Sequence, residues 1–305
     1  MFTSHRLASG NLRSIVFMLA AVGFFALMDA VLKALSARYP VLQIAALRGL
    51  TALPLVLLYI AWRGAWHRIW QVRWPLHLLR GVLGILMLSL FTMGVRELPL
   101  SAAYTLFFIA PLLITALSVP VLKERVPAAH WWAIAVGFVG VLIALRPSGD
   151  ALQTGFVTLG GLATLGAALC YAIAAIAGRL ASRTDSSESL VLWMMVLMSL
   201  GAGALALPDW VAIQRTDAPL LLALAITGFG GQLAITEAFR HGQASAVAPF
   251  EYSALAWGVG LDWLIWHTLP AAHTWFGAAI IIGSGLYLVR REKRITEVHA
   301  SAEHP

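Results

Sequence analysis

Apolar residues run along this chain in blocks of about twenty, and the polar residues that separate them come in short clusters of Arg, Pro, Gly and Asp. Neither the alternation of a half-buried strand nor the short amphipathic stripe of a soluble helix recurs. A helix crossing ~30 Å of hydrocarbon needs roughly 20 apolar residues. The blocks at 14–35, 42–62, 76–95, 100–121, 129–146, 155–178, 189–208, 219–239, 246–266 and 271–290 therefore predict an all-α integral membrane protein of ten transmembrane helices. The most loop-like interior stretch is PSGDALQT at 147–154, close to the middle.

Composition strengthens this picture. Of 305 residues, 60% are hydrophobic and 11% charged, and the mean hydropathy is +0.82. Soluble domains carry about 25% charged residues, so there is little here to solvate a globular surface and no room for a further soluble domain. The net charge of +7 points to the lipid bilayer rather than to nucleic acid, because Lys and Arg collect in the cytoplasmic loops of membrane proteins. With the N-terminus inside, fifteen of the cations fall in or beside cytoplasmic segments, Arg80 among them, and four (Arg38, Arg96, Arg146, Arg215) fall outside. That asymmetry predicts a multi-pass protein of the bacterial inner membrane with both termini cytoplasmic. The first block follows Arg6 and Arg13, as a signal peptide would, but Asp29 and Lys33 interrupt the approach to a cleavage site; a retained first span is expected. The one cysteine, Cys170, excludes an intrachain disulfide and a Cys-rich metal site.

The sequence also repeats itself. PAAHWWAIAVGFVGVLIALR at 127–146 matches PAAHTWFGAAIIIGSGLYLVRR at 270–291, with Gly140 over Gly283. FTMGVRELPLSAA at 91–103 matches ITEAFRHGQASAV at 235–247, and ALMDAVLKALSAR at 26–38 parallels AIAAIAGRLASR at 172–183. Three matches in one order at offsets of 143 to 146 imply duplication, with repeats at 14–146 and 153–291. Five spans per repeat is an odd number, so the second copy must cross the membrane in the opposite sense. Inverted repeats of this kind are common in secondary transporters, whose similar halves exchange inward- and outward-open forms.

Together these residues resemble the drug/metabolite transporter superfamily, specifically its EamA-type bacterial members. The resemblance spans roughly 14–291 and rests on LKERVPAAHWWAIAVGFVGVLIAL in the first half, with Glu124, Gly137, Gly140 and Val141, and on Arg48 and Arg80-Gly81. In the second half APFEY at 248–252 and GAAIIIGSGLY at 277–287 are similar to riboflavin or S-adenosylmethionine uptake members. His267-Thr268 departs from the family's usual acidic residue after the ninth span. The resemblance implies a ten-helix fold with a central cavity between the repeats, and places the spans at 100–121 and 246–266 beside it.

Ionisable residues within spans need a partner or a purpose, since each adds about 2.5–3.5 kcal/mol to the free energy of insertion. Asp29 and Lys33 share a helix face, and Arg48 lies at a similar depth on the next span; an Asp–Lys–Arg cluster of net +1 would attract an anionic or carboxylate-bearing group. Glu237 and Glu251 form a second acidic pair at similar depth, able to meet a cation or a proton, and Asp262 could join the positive cluster. For Asp29, Arg48 and Glu251 substrate binding is the reading considered; Lys33, Glu237 and Asp262 are candidates for coupling or structural charge. The competing reading is a structural ion-pair network for Asp29, Lys33 and Arg48, and an interfacial salt bridge with the nearby Arg240 for Glu237 and Glu251. Tyr104, Tyr252 and Trp257, with Phe107 and Phe108, offer rings for a flat substrate to stack on, although such rings also serve as interface anchors. Pro54 and Pro111 would kink spans, and Gly137/Gly140, Gly160/Gly161 and Gly230/Gly231 permit close packing.

No phosphate-binding loop, HExxH or CxxC motif occurs, so no cofactor and no metal are expected and the chain is not itself an ATP-driven pump. The leading expectation is a secondary transporter or facilitator for a small polar or amphipathic metabolite, not an enzyme. Riboflavin ranks first as cargo, S-adenosylmethionine second, and export of an amino acid or other metabolite third. An integral membrane enzyme and a scaffold are the alternatives of other classes, and a homodimer is compatible with the sequence.

Overall fold

The computed structural model describes residues 2–97, 106–145, 158–257, 264 and 272–302, apart from the side chains of 2–10, 33, 92, 95–97, 144–145, 274 and 292–302. The described residues form helices, short 3-10 segments and loops, with no strand among them. The long helices are α1 (Phe2–Ser36), α2 (Val41–Trp62), α3 (Trp74–Glu97), α4 (Ala110–Leu122), α5 (Ala128–Leu145), α6 (Leu159–Ala181), α7 (Ser187–Ala206), α8 (Ala218–His241) and α9 (Ala272–Ala302). Six stretches among the described residues are long and apolar enough to cross a membrane, and Ala110–Leu122 and Ala128–Ile143 are shorter apolar helices.

Local chemistry sets several boundaries. Thr158 and Ser186 cap α6 and α7, each accepting from a backbone N–H three residues on. Pro111, expected to kink a span, instead sits in the first turn of α4, where its missing N–H breaks no helical bond. The block at 246–266 is not one regular helix over its described part. A turn of α-helix at Ala244–Val247 passes into a 3-10 segment at Ala248–Tyr252, where Pro249 withholds one donor. Pro54 lies within α2, which continues through it.

Helix pairing carries the duplication into three dimensions. The most extensive contacts join α1 to α8, α3 to α6, α2 to α7, and α5 to α9. Exchanging the two halves turns α1–α8 into α6–α3 and leaves the other two pairs unchanged. The halves therefore interleave rather than stand side by side. Small residues allow this. A Cβ on Gly231 of α8 would lie 2.6 Å from the Phe25 ring of α1, and one on Gly140 of α5 would lie 3.0 Å from the Gly277 carbonyl of α9. Its repeat partner Gly283 faces open space, so the two glycines are not equivalent in packing.

Each end of the bundle is tied across the halves by a buried carboxylate. At one end, Asp217, which precedes α8, accepts from Arg38 and from the Tyr39 hydroxyl at 2.7 Å, both in the α1–α2 loop. Gln43 adds a two-way amide bridge to the backbone of Val211. At the opposite end, Asp185 of the α6–α7 loop accepts from the Arg73 backbone N–H at 3.0 Å and pairs with His77 Nε2 at 2.8 Å. There Glu124, just after α4, accepts from the Ala244 and Ser245 backbone N–H groups, a favourable place for negative charge. A left-handed turn at Lys123 (φ 56°) aims it.

Candidate functional site

Between the halves lies a cavity of about 320 Å³. Its walls come from α1, α2 and α3 of the first repeat and α6, α7 and α8 of the second, joined by Phe107 ahead of α4. Most of the surface is apolar, including Phe25, Phe107 and Phe239 and the methionines 28, 87, 194 and 198; the charges on it are Asp29, Arg48 and Arg80.

Packing places Arg48 before any ligand arrives. The glycines of α8 let Phe25 of α1 lie close, and the Arg48 guanidinium sits over that ring, 5.4 Å from its centroid. A cation held over an aromatic face gains about 0.5–2 kcal/mol, more as water is excluded. Nε of Arg48 is buried without a hydrogen-bond partner. Asp29 shares the cavity, and the two charges act on each other. The Asp29 side chain is deep in the bundle yet accessible, so it faces the cavity instead of being sealed in a structural pair.

The aromatic wall is layered. Phe91, Phe107 and Tyr171 pack in sequence, with ring centroids 5.2 and 5.8 Å apart. The Tyr171 hydroxyl donates to Glu251 Oε1 at 3.1 Å, so Glu251 stands behind the wall and touches the cavity through a phenol. Tyr252 lies further back: fully buried, it packs with Ile134, Val141 and Ile281 and against the Phe108 ring. Trp257 lays its indole over Gly23, 44% exposed, and is not on the cavity wall.

Thus the structure brings Asp29 and Arg48 together and places Glu251 one side chain away. It separates Glu237 from Glu251. Glu237 pairs with His241 Nε2 at 2.8 Å in a polar cleft of about 190 Å³ shared with Arg13, Arg63 and Glu188, whereas Glu251 meets Tyr171. Arg240, the neighbour expected to neutralise it, donates to the Asp185 carbonyl and Ser187 Oγ. Tyr104, Asp262 and the Lys33 side chain lie outside the described residues. Arg80, counted with the cytoplasmic cations from sequence, lies in the second turn of α3 on the cavity wall. That depth within an apolar block was the available signal. Tyr171, Gln232 and Thr236 also line the cavity, and nothing in their sequence context distinguished them from helix filler.

The chain matches the EamA-like transporter family twice, over residues 12–146 and 158–290. It belongs to that family, within the drug/metabolite transporter superfamily, and is a multi-pass protein of the bacterial inner membrane. It is 29% identical to the pseudopaline exporter of Pseudomonas aeruginosa over 88% of this chain and 93% of the exporter. It is 28% identical to a riboflavin transporter of Vibrio cholerae over 93% and 95%, and 25% identical to an S-adenosylmethionine uptake transporter of Rickettsia prowazekii over 72% and 72%. A solved crystal structure superposes with a TM-score of 0.78 at 15% identity, covering 92% of this chain and 98% of the other, and shares the fold.

Proposed function

We propose that this protein is a secondary transporter, not an enzyme, that moves a small amphipathic metabolite by alternating access. In this reading the repeats at 14–146 and 153–291 are inverted units of five spans each, and both termini face the cytoplasm. One observation carries it: an apolar, ring-lined cavity between interleaved halves exposes Asp29 and an incompletely satisfied Arg48. Such a cavity can hold a flat or apolar body and fix its polar end. A riboflavin-like or S-adenosylmethionine-like cargo fits this description. In the proposal Asp29 and Arg48 bind the polar end, and Tyr171 carries the influence of Glu251 to the cavity. Tyr252 and Trp257 support the wall from behind.

The test is flux of labelled metabolites into liposomes holding the purified chain. A panel containing riboflavin and S-adenosylmethionine is expected to yield at least one saturable, protein-dependent flux; none across the panel defeats the cargo assignment. Arg48→Ala is expected to lower that flux at least tenfold at normal protein levels, with partial recovery in Arg48→Lys, which lacks the planar fork. Cells unable to make riboflavin, with this chain as their importer, test the first cargo directly. The near-full-length similarity to a pseudopaline exporter supports a second reading, export. Comparing uptake by inside-out and right-side-out vesicles under a proton gradient separates the two directions.

A further inference from the structure

Arg80 is the cavity charge that the Asp29–Arg48 cluster does not account for. It projects from the second turn of α3 and is only 7% exposed. Asp185 acts on it electrostatically, but that carboxylate already takes the Arg73 N–H, the Thr184 hydroxyl and His77. Nη1 of Arg80 is left buried without a hydrogen-bond partner. Buried donors are paired in the great majority of cases, and an orphan calls for an explanation. Space has been kept for this group: a Cβ on Gly178 of α6 would approach Arg80 Nε to 3.3 Å, and Ala174 and Ala175 extend the same small-residue face.

Position matters as much as the missing partner. Arg48 lies seven residues into α2, counted from the Asp217 end, while Arg80 lies six residues into α3, counted from the Asp185 end. At about 1.5 Å per residue the two guanidinium-bearing residues are separated along the bundle by on the order of 10 Å. Aromatic and methionine side chains line the space between. With Asp29 as the single acid among the lining residues, the cavity carries a net positive charge.

We propose that Arg80 is a second anion-binding group of this cavity. The cargo then carries an anionic oxygen group, carboxylate or phosphate, that seats on Arg80 while its other polar end meets Asp29 and Arg48. This rests on the transporter reading for its meaning, but the binding itself does not require flux.

The test uses the full-length purified chain in detergent, with melting followed by tryptophan fluorescence. Inorganic phosphate and citrate are titrated against chloride at equal ionic strength. A saturable rise in melting temperature with either anion is expected in the wild type. In Arg80→Gln the half-saturating concentration is expected to rise at least about tenfold, the loss of one charged hydrogen-bond donor, with Arg80→Lys intermediate. The stronger of the two anions identifies the group the cargo carries. No saturable response beyond chloride, or an equal response in Arg80→Gln, overturns the proposal. If Arg80→Gln does not fold, phenylglyoxal modification of the wild type decides: phosphate or citrate should protect Arg80 from the reagent, and modification unchanged by both overturns it. An anion response without flux would sink the transporter reading and leave the site; flux without an anion response would do the reverse.

Discussion

The two ends of the bundle solve the same problem with different chemistry. Both Asp217 and Asp185 belong to loops of the second half, both are 2% exposed, and both bind a first-half loop. Asp217 relies on Arg38, whose side chain is 54% exposed, together with the Tyr39 phenol. The Asp217 carboxylate that accepts this bond holds the phenol of Tyr39 above its ordinary pKa. Asp185 relies on a backbone N–H, a neighbouring hydroxyl and a His77 ring that is itself buried. Water and salt can compete for an exposed cation; they cannot reach a buried imidazole or a fixed amide. The Asp217 end is therefore the looser fastening, and the one that should part first in the proposed alternating-access cycle.

The largest test of this contrast is removal of each carboxylate. Asp185→Ala strands His77, the Arg73 N–H and the charge of Arg80, and should destabilise the protein by about 3–5 kcal/mol, as breaking a buried pair does. Asp217→Ala should be milder, about 1–3 kcal/mol, because Arg38 can turn to water. Melting temperature and yield in detergent measure both. A larger loss at Asp217 would reverse the comparison.

That difference was invisible in the sequence, and the reason is physical. Span positions follow from hydrocarbon thickness, a local constraint, so the block at 42–62 corresponds to Val41–Trp62 and the block at 219–239 to Ala218–His241. Asp29 and Arg48 were legible for the same reason, since charge within an apolar block stands out. Arg38 and Asp217 lie 179 residues apart, and His77 and Asp185 lie 108 apart; which loops meet depends on how the repeats interleave. Glu237 and Glu251 show the converse. Matching depth suggested a pair, but the face each presents was set by tertiary packing, and they point to different surroundings.

A smaller effect should separate the ends by ionic strength. Arg38→Ala is expected to change stability by about 0–1 kcal/mol at low salt and by less in about 0.5 M salt, where screening is strong. His77→Ala should show no such dependence. Equal salt sensitivity of the two variants would mean that the ends are equally wet.

The finest test is pH. Burial pushes the Asp185 carboxyl up, but donation from the Arg73 N–H, the Thr184 hydroxyl and His77 outweighs it and holds the group below the usual carboxylate range. A depressed folded-state value makes this contribution complete above the unfolded value near ~3.9 and lost as pH falls through the folded one. The melting-temperature gap between wild type and Asp185→Asn should stay level from pH 7 to about 5 and close only below about 4. A gap that closes near pH 6 would place the controlling titration elsewhere.

The four methionines of the cavity have a consequence of their own. Met28, Met87, Met194 and Met198 come from α1, α3 and α7 and give the hollow a lining of unbranched, polarizable thioethers. Such side chains re-pivot at small cost, so the wall moulds itself to a guest. A pliant wall tolerates variation in outline and leaves discrimination to the fixed charges at either end. It is also vulnerable. Conversion of these sulfurs to sulfoxides would turn an oily chamber into a polar one, and peroxide would then alter what the protein accepts without touching a single charged residue.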